Sequence, residues 1–74
     1  MTAFDAYDII CNHLGYHPQV STAYEYEHVF CFRMRQSERL CVVKSTGDVI
    51  WEDDLPDELA PEGAGRFIVI GKGW

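Results

Sequence analysis

The chain has 74 residues, with twelve aspartates and glutamates against six lysines and arginines, for a formal net charge of −6. That length holds one small domain and no second core. The charge disfavours nucleic acid and anionic membranes as direct partners and favours a basic one, and no apolar run is long enough to span a bilayer.

Residues 2–14 read as a helix. Thr2 is the expected N-cap, with Asp5 placed to complete the cap and to favour the helix dipole. Ala3, Phe4, Tyr7, Ile10, Cys11 and Leu14 form an apolar stripe at 3.6 residues per turn, and Ile9 falls on the polar side. Gly15 and Pro18 end the helix, and residues 15–21 are a connection.

The next stretch, residues 24–52, reads as three antiparallel strands. In the first, Tyr24, Tyr26, His28, Phe30, Phe32 and Met34 alternate with Glu25, Glu27, Val29, Cys31, Arg33 and Arg35. A turn near residues 36–39 leads to the second strand, residues 40–44. Ser45-Thr46-Gly47-Asp48 is the hairpin turn into the third, residues 49–52, where Trp51 is expected in the core. The pattern leaves the register of the first hairpin open, because one residue more or less in its turn would flip the second strand.

Residues 52–65 form an acidic loop, with a short helix through Leu59 opened by Pro56 and capped by Asp54. Residues 66–71 are a fourth strand. Its apolar run lacks alternation, so it is expected at the centre of the sheet, buried on both faces. The expected class is α+β: an N-terminal helix on one face of a four-stranded antiparallel sheet, in the order α-β-β-β-(short α)-β. A helix of about 13 residues is about 20 Å long and covers one side only. Val29, Cys31, part of residues 41–43 and alternate members of residues 67–70 then need a cover, either the acidic loop or another chain.

The helix TAFDAYDIICNHL, the aromatic strand YEHVFCFRMR and the hairpin LCVVKSTGDVI resemble the YrhB-like family of small immunity-type proteins. More distantly they resemble the α-β-β half of PepSY-like domains. The resemblance covers residue 2 to about residue 59. It implies a cytoplasmic protein that binds and neutralises a toxin, and it transfers no site residues.

The candidate site is the acidic cluster Glu52, Asp53, Asp54, Asp57, Glu58 and Glu62. Closely spaced carboxylates imitate a phosphate track and steer association with a basic surface. Glu25 and Glu27, expected on one strand face, and the terminal Trp74 are further partner-binding candidates. Cys11, His13 and His17 offer half of a zinc-ligand pattern, but no second Cys/His pair closes it, so no metal or other cofactor is expected. Cys31 and Cys41 with His28 would be the nucleophile and base of an enzyme. Parity turns His28 away from Cys31, so no catalytic residues are expected. Three cysteines and no leader-like N-terminus point to a reduced, cytoplasmic setting. The expected function is inhibition by stoichiometric binding to a basic, nucleic-acid-handling protein, either a toxin or a defence complex of the kind blocked by phage anti-CRISPR proteins. The alternative is a homodimeric accessory domain whose uncovered sheet faces pair.

Overall fold

The N-terminal helix forms where the sequence places its signals. In the computed structural model, which describes residues 1–61, 63 and 65–68, helix α1 spans Ala3–Leu14. Thr2 Oγ1 accepts from the Asp5 amide at 3.2 Å, and the Asp5 carboxylate accepts from the Thr2 amide at 2.9 Å. The backbone bond from Thr2 lowers the Asp5 pKa. At the other end Gly15 adopts φ 81° and donates to the Cys11 carbonyl at 2.8 Å, a left-handed cap that a side chain would strain. The helix buries Ala6, Tyr7, Ile10 and Cys11, and the Tyr7 hydroxyl donates to the Pro18 carbonyl at 2.9 Å. Burial, more than any neighbour, pushes the Tyr7 pKa up to about 12.

Two positions on the helix differ from expectation. Phe4 is 66% exposed, because the buried stripe centres between Tyr7 and Ile10 and Phe4 lies about 90° away. Ile9, expected in solvent, is half-buried against the core. The Gly47 turn approaches it, and a Cβ added there would stand 3.6 Å from Ile9 Cδ1.

Five antiparallel strands follow: β1 (Val20–Glu25), β2 (Val29–Met34), β3 (Arg39–Val43), β4 (Val49–Trp51) and β5 (Arg66–Ile68), in the sheet order β4-β3-β2-β1-β5. The α+β class is as expected, with one strand more. The long first strand is in fact a hairpin: β1 ends at Glu25, Tyr26 donates to the Val29 carbonyl at 2.9 Å, and β2 begins. The alternation of Tyr24, Tyr26, His28 and Phe30 runs straight across this turn and conceals it. Within it the adjacent Glu27 and His28 are both exposed.

The β2–β3 register pairs Cys31 with Cys41, Phe32 with Leu40 and Arg33 with Arg39. It is set by a three-residue turn, Arg35 to Ser37, in which Ser37 sits at φ 73° and Met34 and Glu38 are hydrogen-bonded.

Each face of the sheet has its own core. Against α1 lie Ala23, Phe30, Phe32, Met34, Leu40 and Val42. On the opposite face Val29, Cys31, Cys41 and Val43 are covered by Tyr26, Ile50, Leu55 and Leu59. The acidic loop is therefore the cover, and Val29 is 0% exposed without a second chain.

Strand β5 is at an edge rather than the centre. It pairs with β1 alone, and Phe67 is 55% exposed, edge-on to Tyr24 with ring centroids 5.6 Å apart. Short hairpins make β1 to β4 sequential neighbours and leave the outer edges of β1 and β4 for a further strand, and β5 takes that of β1. Residues 69 and 70 of its apolar run lie outside the described residues. Trp51, expected in the core, is 50% exposed because β4 forms the other edge. Among the described residues no helix is long and apolar enough to cross a membrane.

Candidate acidic binding surface

The acidic loop is built from two single 3-10 turns, Glu52–Asp54 and Asp57–Leu59. The second stands where a short helix was expected, but Pro56 rather than Asp54 occupies its cap position and no side chain caps it. Leu55 donates to the Glu52 carbonyl at 3.4 Å and Leu59 to the Pro56 carbonyl at 2.9 Å. Each turn therefore places a leucine after acidic residues, and both leucines turn down onto the sheet. Asp53, Asp54, Asp57 and Glu58 are left exposed on the outer side.

Tyr26 fastens the return of the loop. A Cβ at Gly65 would stand 2.6 Å from carbons of the Tyr26 ring, so any larger residue there would have to displace that ring. Glu27, in the β1–β2 turn, lines the same cleft as Asp57 and Glu58, and its side chain is 87% exposed. It extends the carboxylate surface beyond the loop. Its neighbour His28 lies 4.0 Å from it.

The other candidates are placed differently. Glu25 and Glu27 do not share a strand face, because β1 ends between them. Glu25 accepts from Lys44 at 2.8 Å and from Arg66, tying β1 to the β3–β4 turn and to β5. Lys44 first, and Arg66 after it, hold the Glu25 carboxyl below its usual value against the opposing effect of burial. Lys44 also lies 4.9 Å from the centroid of the Phe30 ring. Glu25 is thus a structural clamp, not a free contact residue. Glu52 turns inward and meets Arg39 at 3.4 Å, leaving its side chain 22% exposed. Glu62 and Trp74 lie outside the described residues.

The metal and nucleophile candidates separate. Cys11 Sγ and His17 Nδ1 are 3.2 Å apart, whereas His13 lines a different cleft with Ile9 and Asn12. His28 is exposed at a turn while Cys31 and Cys41 are buried beneath the loop. The arrangement that the sequence did not disclose is Cys31, Cys41 and Glu52, brought within 4.8 Å of one another by the β2–β3 register and the first 3-10 turn. Equal spacing of the cysteines about Gln36 was its only sequence signal, and it becomes legible once the turn length is known. No family model, curated protein or solved structure matches this chain.

Proposed function

We propose that the protein acts by stoichiometric binding to a basic, nucleic-acid-handling protein, through the surface formed by Glu27, Asp53, Asp54, Asp57 and Glu58. The observation that carries this reading is the division of labour in the loop: Leu55 and Leu59 hold it to the sheet, while the acids between and beside them face solvent. A loop anchored in this way presents its carboxylates with little further ordering on binding, which reduces the entropic cost of association. Clustered fixed charges of one sign also accelerate encounter with an oppositely charged surface.

The reading is of a binder rather than an enzyme, acting in the cytoplasm as an immunity-type or anti-defence inhibitor, in keeping with the resemblance to YrhB-like proteins. The homodimer alternative required an uncovered sheet face, and the chain's own loop occupies that face. The experiment is capture from host lysate at low salt, followed by a high-salt wash and mass spectrometry. One basic protein, bound one-to-one and released by salt, supports the proposal. A partner retained at high salt, or none, counts against it.

A further inference from the structure

Beneath the acidic loop lies a second arrangement that binding to a basic partner does not use. Met34 donates to the Glu38 carbonyl and Lys44 to the His28 carbonyl. Those two bonds fix the antiparallel ladder, so Phe32/Leu40 and Phe30/Val42 are hydrogen-bonded pairs and Cys31/Cys41 is a non-hydrogen-bonded pair. In such pairs the side chains approach most closely, about 4.5 Å between Cα atoms. Both thiols therefore project from neighbouring strands on the same face, 5% and 0% exposed, and the Glu52 carboxylate comes down on them from the first 3-10 turn.

We propose that Cys31, Cys41 and Glu52 bind a thiophilic divalent cation, zinc being the physiological candidate, with water as fourth ligand. The three donor atoms lie within 4.8 Å of one another. A tetrahedral ion with sulfur at about 2.3 Å and oxygen at about 2.1 Å needs donors about 3.5–4 Å apart, so closure requires shifts of at most about 1.3 Å. Among the described residues this is the one such group of three or more ligands. Binding displaces one proton from each thiol to solvent, and both sulfurs become thiolate ligands.

The charge of such a site is balanced nearby. Two thiolates and a carboxylate around a divalent ion leave one excess negative charge, and Arg39 faces Glu52 at 3.4 Å to offset it. A cleft of about 420 Å³ bordered by Ser37, Arg39, Trp51, Glu52 and Asp53 opens beside the carboxylate. An ion held there ties β2 and β3 to the acidic loop.

The test is titration of the reduced full chain with Co²⁺, followed by competition with Zn²⁺. The expected result is saturation at one equivalent, with the visible bands of tetrahedral cobalt and a near-ultraviolet thiolate charge-transfer band. Zinc should bleach both and protect two of the three thiols from a thiol reagent. Cys11→Ala should leave the spectrum unchanged, Cys31→Ala should abolish the charge-transfer band, and Glu52→Gln should weaken binding about tenfold or more. Because Glu52 lies on the loop, its variant tests the site without altering the buried strand pair, and circular dichroism establishes that each variant is folded. Absence of the charge-transfer band in folded, reduced protein overturns the proposal. So does a spectrum that survives Cys31→Ala and disappears with Cys11→Ala, which would place the metal at Cys11 and His17.

Discussion

Removing the two leucines that fasten the acidic loop gives the sharpest test of how this small protein is held together. Leu55 and Leu59 are partly buried against Val29, Cys31, Cys41 and Val43. Leucine-to-alanine replacement deletes three carbons, worth about 2.4 kcal/mol when fully buried and about 1.2 kcal/mol at half burial. The double variant Leu55→Ala/Leu59→Ala should then lose about 2.5 kcal/mol. For a domain of this size that corresponds to a fall in Tm of about 10–20 °C. The second readout is local. Cys31 and Cys41 are almost inaccessible, and if the loop is their cover, easing its opening by the same energy should accelerate their modification by a thiol reagent about 50-fold. Cys11, packed beneath α1 on the other face, should be nearly unaffected. Lower thermal stability with unchanged labelling of Cys31 and Cys41 would refute the reasoning, because the loop would then contribute packing without sealing that face.

Ser37→Gly should stabilise the protein. A non-glycine residue at φ 73° carries about 1–2 kcal/mol of strain, against about 0.5–1 kcal/mol of added chain entropy for glycine. The net gain is about 0.5–1 kcal/mol, seen as a Tm rise of about 2–8 °C, and a lower Tm would contradict the turn geometry. Glu25→Gln tests the clamp by its pH dependence. The Glu25 pKa is lowered in the fold, chiefly by Lys44, so its stabilising effect is present above the unfolded glutamate value and is lost as pH falls through the folded one. Urea denaturation should show the variant weaker than the parent at neutral pH, with the gap narrowing in acid. A gap independent of pH would mean that the ion pairs contribute nothing.

What could be read in the sequence depended on whether a local pattern determined the structure alone. The helix ends were legible because Thr2, Asp5 and Gly15 act within a few residues of themselves. The parity of Phe30, Phe32 and Met34 against Val29 and Cys31 was legible because strand geometry imposes it. The turn at residues 26–28 was not, since the aromatic alternation continues through it without glycine, proline or asparagine. The place of β5 was also hidden: its apolar run describes side chains, whereas its edge position follows from the preceding hairpins, which close the centre of the sheet and leave only the outer edges of β1 and β4 free. The site was partly legible. Acids clustered in residues 52–58 could be counted, but only the fold reveals that Glu25 and Glu52 are held in ion pairs and that Glu27 joins Asp57 and Glu58. The pairing of Cys31 with Cys41 needed the register that the first hairpin left open.

The most direct measurement is a comparison of the parent chain with a variant in which Asp53, Asp54, Asp57 and Glu58 are all changed to lysine. All four side chains are exposed, while Leu55 and Leu59 stay in place, so the variant should keep the circular dichroism and the protected Cys31 and Cys41 of the parent. The account predicts that this folded variant no longer retains the basic protein that the parent captures at low salt. Equal retention by the two proteins would contradict it.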